Sequence, residues 1–122
     1  MISLTNGVSA ITNATIYYRP TNNRIRYIYE INSVQQADII YDFDDALEFI
    51  KVAAVYEQDR FVLFVNGVKV DEVLSGNVAA EGTFNEVAFD RASQLPFYGK
   101  NKQLVYFPTA LTDSECIALT TI

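Results

Sequence analysis

Phe61-Val62-Leu63-Phe64-Val65-Asn66-Gly67-Val68-Lys69-Val70 decides the fold of this chain. Phe61, Leu63 and Val65 alternate with Val62 and Phe64, and none of the five is polar. A strand that is apolar on both faces is covered on both faces, which places it inside a sheet and calls for a second layer. Asn66-Gly67 follows, flanked by apolar residues. Asn-Gly supplies the two positive-φ positions of a two-residue hairpin, so the strand is predicted to fold straight back.

Extended runs continue on both sides. Upstream, Phe49, Lys51, Ala53 and Val55 alternate with Ile50, Val52, Ala54 and Tyr56, and Glu57-Gln58-Asp59 interrupts the run. The stretch from Leu47 to Leu74 therefore reads as three strands and two short turns. Further back, Arg24 to Ile31 is the cleanest alternation in the chain. Ile25, Tyr27, Tyr29 and Ile31 point one way, and Arg24, Arg26, Ile28 and Glu30 the other. Ala10 to Tyr18 is a strand before it, joined through the turn Pro20-Thr21-Asn22-Asn23. Asn32-Ser33 breaks the pattern, and Ala37, Ile39, Tyr41 and Phe43 make a further strand. Residues 1–9 read as a lead-in with a turn at Asn6-Gly7.

Downstream, Ser75-Gly76-Asn77 opens a loop of small residues that runs through Glu81-Gly82. Phe84 to Phe89 is a short strand, Asp90 to Pro96 a loop, and Gln103 to Phe107 a last strand that Pro108 stops. Thr112-Asp113-Ser114-Glu115 is a capping box. The Thr hydroxyl accepts a backbone N–H of the first turn and the Glu reaches back. A helix of about two turns follows and is too short to stand without packing on a sheet.

The chain of 122 residues is long enough for a single domain, 1–122, with one core. Half of it is hydrophobic and 13% aromatic, which argues against disorder. No run approaches the roughly 18 apolar residues of a membrane span. MISLTNG lacks the basic start and apolar core of a secretion signal, so any export is expected through assembly into a larger particle. The net charge is −6 and the lysines and arginines are scattered. Neither nucleic acid nor an anionic membrane is an expected partner. There is no histidine and a single cysteine, Cys116. That excludes an intrachain disulfide, a structural zinc site and imidazole-activated nucleophiles. Cys116 reads as a small buried residue.

Three constellations bear on chemistry. Asp42, Asp44 and Asp45 cluster at a strand end, either as a solvated turn or as carboxylate ligands for calcium, without the glycine and distal glutamate of an EF-hand. Asp71-Glu72 point to opposite faces of a strand and cannot flank one glycosidic bond, and Glu86 and Asp90 stand well apart along theirs. Catalysis is not expected. The eight tyrosines, with tryptophan absent, are either ordinary sheet residues or a sugar-facing cluster, since aromatic rings with polar tips suit sugar faces.

Taken together, FVLFVNGVKV at 61–70, PFYGKNKQLVYF at 96–107 and TALTDSECIALT at 109–120 resemble the laminin-G-like, concanavalin-A-like jelly-roll modules of phage tail fibres and other virion appendages. The earlier YYRPTNNRIRYIYEIN is similar to the paired strands that precede the core of such modules. The resemblance implies an all-β, two-sheet antiparallel sandwich with a short C-terminal helix. A full module usually carries further strands before the first one legible here, so a shortened form, a fragment or a domain completed by neighbours is expected. The Glu-x-Asp-x-x-Glu strand of the glycosidase members is missing. By analogy the chain is expected to be a non-enzymatic recognition module on a virion, made in the host cytoplasm, serving host attachment. The expected partners are a host-surface glycan or another virion protein, with a homotrimer as the expected assembly. Candidate contacts are Asn77, Glu81, Arg91, Ser93, Gln94 and Tyr98, in the two least regular stretches. The alternatives are a purely structural packing or decoration module, which the short N-terminal half and its open sheet edge favour, and a divergent hydrolase working through Glu86 and Asp90.

Overall fold

Asn66 and Gly67 both take left-handed backbone angles, φ 50° and 80°. They turn strand β6 (Arg60–Val65) into β7 (Val68–Val73) as the sequence predicts. Asn66 also ties the turn to the chain entering β5 (Val52–Glu57). Its N–H donates to Lys51 O and its Oδ1 accepts from Lys51 N, both at 2.9 Å. On the other side of β6 the turn from β5 passes through Asp59, again at positive φ. The three strands form an antiparallel sheet in the order β5-β6-β7.

The computed structural model describes residues 1–44, 49–91, 97 and 99–122. Beside the first sheet stands a second, antiparallel one of five strands. These are β1 (Ile2–Thr5), β2 (Asn13–Arg19), β3 (Arg24–Ile31), β4 (Val34–Asp42) and β8 (Glu86–Ala88), in the order β4-β3-β2-β1-β8. The fold is therefore a two-sheet antiparallel β sandwich with one short helix, α1 (Asp113–Thr120).

The alternation in β3 settles which way its residues face. Ile25, Tyr27 and Tyr29 join Ala14, Ala37 and Ile39 from their own sheet and Phe61, Leu63 and Val65 from the other in one buried cluster. Tyr27 crosses the gap, its hydroxyl donating to Val55 O at 3.1 Å. Tyr29, fully buried, stacks its ring against Tyr56, Phe61 and Phe84. Val62 and Phe64 face the opposite way and are just as buried, against Val55, Cys116, Ala110 and Leu111. The helix and the residues before it are thus the second cover of β6. Phe61, Val62, Leu63 and Phe64, all fully buried, each contribute about 1.5–3 kcal/mol of transfer free energy.

The helix is fixed at both ends. At its start the capping box is complete: Glu115 N donates to Thr112 Oγ1 at 3.3 Å and Thr112 N to Glu115 Oε2 at 2.8 Å. Arg60 Nη2 and Lys69 Nζ reach Asp113 at 2.8 and 3.0 Å. At its end Lys51 Nζ donates to Thr121 O at 2.7 Å.

Several elements differ from the sequence reading. The lead-in contains β1, whose Ser3 and Thr5 are buried although polar. Ser3 Oγ donates to Asp90 O and Thr5 Oγ1 accepts from Gly7 N, so neither hydroxyl is left without a partner. β8 is limited to three residues. The strand predicted over Gln103 to Phe107 does not form: residues 103–107 belong to neither sheet. Side chains of this part of the chain touch Phe49 and Tyr56. Lys102 Nζ lies 4.1 Å from the Phe49 ring centroid, and the Tyr106 and Tyr56 hydroxyls are 3.2 Å apart.

Candidate functional site

Loops pinned to the sandwich gather around Asn77. Gly76 has φ +138°, and a Cβ there would lie 2.9 Å from the Phe61 ring, so glycine is required for the loop to lie this close. Gly76 exchanges hydrogen bonds with Asp59: Asp59 N donates to Gly76 O at 2.9 Å and Gly76 N to Asp59 Oδ1 at 3.1 Å. Asn77 N donates to Gln36 Oε1 at 2.9 Å, and Gln58 Nε2 donates to Asn77 Oδ1 at 3.0 Å. Ala79 N donates to the Tyr29 hydroxyl at 2.9 Å. The predicted contact Asn77 is exposed but already engaged, as one of three amides that join β4, the β5–β6 turn and the loop after β7. Glu81 is exposed on the turn that Thr83 N closes onto Ala80 O at 3.1 Å.

Arg91, another predicted contact, is bonded to the five-stranded sheet and the chain before β2. Its Nη2 donates to Glu30 Oε2 at 2.8 Å and to Ala10 O at 3.3 Å. Glu30 Oε2 also accepts from Asn13 Nδ2 at 2.9 Å, and Asn13 Oδ1 accepts from the Thr15 hydroxyl at 2.7 Å. These groups make a polar cluster on the outer face of the five-stranded sheet, where Ser3, Thr5, Asn13 and Thr15 are all buried. Arg91 is a clamp in that cluster, and among the described residues nothing brings it together with Asn77 or Glu81. The remaining predicted contacts, Ser93, Gln94 and Tyr98, lie outside the described residues.

The proposed calcium seat is committed elsewhere in part. Arg24 grips Asp42 with two parallel bonds, Nε to Oδ1 at 2.6 Å and Nη2 to Oδ2 at 2.8 Å. Those bonds hold the Asp42 carboxyl below its ordinary value. Asp45 lies outside the described residues, and among the described ones no three metal-capable side chains come together. A neighbouring pair, Arg26 with Asp38 at 2.5 Å, continues the ladder of ion pairs across β3 and β4. The Tyr17 hydroxyl accepts from Arg26 Nη1 at 2.8 Å.

A cleft of about 210 Å³ opens at the β1–β8 edge of the five-stranded sheet, lined by Leu4, Phe84, Asn85, Glu86, Val87 and Tyr106. It is smaller than the roughly 300–1,000 Å³ of enclosed small-molecule pockets. Its lining includes two aromatic residues, Phe84 and Tyr106, together with Asn85. Burial, and then the bond to Tyr106, raise the pKa of Tyr56 behind it, and burial likewise raises that of Tyr29. Both phenols are neutral over the physiological range. Of the tyrosines that the sequence offers either as sheet residues or as a sugar-facing cluster, Tyr106 is the one in this lining.

Among the described residues no helix is long and apolar enough to cross a membrane. No family model matches the chain, and no curated protein does. Among solved structures, the crystal structure of an S-layer domain-containing protein (residues 221-444) from Clostridium thermocellum ATCC 27405 is similar over 99% of this chain, at 15% identity and a TM-score of 0.49. This chain spans 61% of the length of that one.

Proposed function

We propose that the chain is a non-enzymatic recognition module of a phage tail fibre or similar virion appendage, and that it binds glycan at the cleft beside Tyr106. The observation that carries this reading is the pairing of Phe84 and Tyr106 with Asn85 in one open cleft. Aromatic faces take the apolar side of a sugar ring, while an amide and a phenol hydrogen-bond its hydroxyls. An open cleft of this size holds one or two sugar units weakly. Repetition in a homo-oligomer on a virion then raises avidity without new contacts. The resemblance of the Asn66-Gly67 hairpin and the closing capped helix to virion appendage modules supports the placement on a particle. Glycan-array binding by the assembled protein tests the proposal. Binding is expected to fall at least tenfold in Tyr106→Ala, and an array on which the assembled protein binds no glycan overturns it.

The second reading, a packing module that holds a particle together, is favoured by a specific feature. Residues 104–107 present Leu, Val, Tyr and Phe to solvent, each close to half exposed. Surface of that kind marks a contact with another chain.

A further inference from the structure

We propose that residues 103–107 are a strand in waiting, and that its partner is the same segment of a second copy, paired antiparallel about a two-fold axis through Val105. The inference does not depend on the glycan reading.

Three observations carry it. First, Gln103-Leu104-Val105-Tyr106-Phe107 is rich in β-branched and aromatic residues, yet no backbone hydrogen bond within this chain involves residues 101–109 among the described residues. The segment presents a row of unpaired N–H and C=O groups, the template to which another strand adds. Second, its large side chains are not withdrawn from water. Leu104, Val105, Tyr106 and Phe107 are 44–54% exposed. Phe49 continues the apolar strip on the side of Lys102, and Val87 continues it on the side of the cleft. Third, the sequence is complementary to itself in one register. With Val105 opposite Val105, Leu104 faces Tyr106 and Gln103 faces Phe107. Lys102 falls opposite Pro108 and Lys100 opposite Ala110, so like charges never meet across the pair. Pro108, with no N–H to donate, ends the ladder.

The pairing is isologous: the same segment meets itself about the two-fold axis, which closes the contact at two copies. It departs from the three-fold assembly expected from the sequence. In the dimer the two strands form a ribbon across the axis, with each Tyr106 one residue from it and facing Leu104 of the other copy.

Sedimentation of the full chain over a concentration series tests this. The expected result is a monomer–dimer equilibrium with a limiting mass twice that of the chain. Val105→Lys places two like charges face to face and is expected to hold the protein at monomer mass throughout, with its unfolding midpoint retained. Val105→Cys provides a second measurement. Cα atoms opposite each other in an antiparallel pair stand roughly 4.5–5.5 Å apart, within disulfide reach. Mild oxidation is expected to give a covalent dimer from Val105→Cys and none from Leu104→Cys. A wild-type chain that stays monomeric at all concentrations, an oligomer that Val105→Lys leaves intact, or failure of Val105→Cys to cross-link overturns the proposal.

Discussion

Thr120 Oγ1 accepts a hydrogen bond from Gly67 N at 3.1 Å and donates one to Cys116 O at 2.8 Å. The last helical residue is thereby fastened to the hairpin turn between β6 and β7. The turn has two tasks: it reverses the chain, and it receives the end of α1.

Gly67→Ala therefore damages both. The residue sits at φ +80°, and an added Cβ would lie 2.9 Å from Thr121 Oγ1. A left-handed position costs a non-glycine residue about 1–2 kcal/mol, before any displacement of the helix. Urea unfolding is expected to show a loss of at least that size. A midpoint equal to wild type would refute the docking role.

Thr112 and Glu115 act as one unit, each satisfying a backbone donor of the other. Thr112→Ala is expected to cost about 1 kcal/mol. Glu115→Ala is expected to destabilise as well, and the double variant to lose less than the sum, because either change breaks the reciprocal pair. A double-mutant cycle by chemical denaturation measures the coupling; strict additivity would contradict the observed geometry.

Acid should loosen the helix. Bonds from Arg60 and then Lys69 hold the Asp113 carboxyl below its ordinary 3.8, and the bonds from Thr112 hold Glu115 below 4.5. Depressed carboxyl values mean that the unfolded chain binds more protons than the folded one in this range. The stability is complete above the ordinary carboxyl values and is lost as pH falls through the lower, folded ones. Asp113→Asn is expected to be less stable than wild type at neutral pH, with the gap narrowing below about pH 4. A gap that stays constant from neutral pH to pH 2 would show that the charge of Asp113 contributes nothing.

Truncation on either face of β6 should be severe. Leu63→Ala opens the space between the sheets and is expected to cost about 2–5 kcal/mol. Phe64→Ala opens the space under the helix and is expected to cost about 3–5 kcal/mol. Comparable losses in thermal or urea unfolding would reflect the equal burial of the two residues. A small effect at Phe64 would mean that the helix is a loose cover.

The architecture was legible wherever side chains alone determined it. The wholly apolar Phe61 to Val65, the Asn66-Gly67 turn, the alternation of β3 and the Thr112 capping box each state a local requirement that the fold meets. Two kinds of information were not local. β1 was hidden because Ser3 and Thr5 are polar, and their burial depends on Gly7 and Asp90, the latter far along the chain. Gln103 to Phe107 has the composition of a strand, but among the described residues no backbone pairs with it, and composition cannot report a missing neighbour. The site followed the same rule. Asn77 and Arg91 are loop residues with polar side chains, yet one is spent on Gln36 and Gln58 and the other on Glu30. The cleft instead brings together Leu4, residues 84–87 and Tyr106, a juxtaposition that no single stretch of sequence encodes.

Cys116 is 1% exposed, packed between α1 and β6, and burial pushes its thiol pKa up. Because the chain has no second cysteine, an alkylating reagent added to the native protein reads a single event, the lifting of that helix from its seat. If labelling rises with urea well before the sheets melt, the helix opens as an independent latch. If labelling and melting coincide, helix and sandwich are one cooperative unit, and the sulfur is a built-in clock for its global opening.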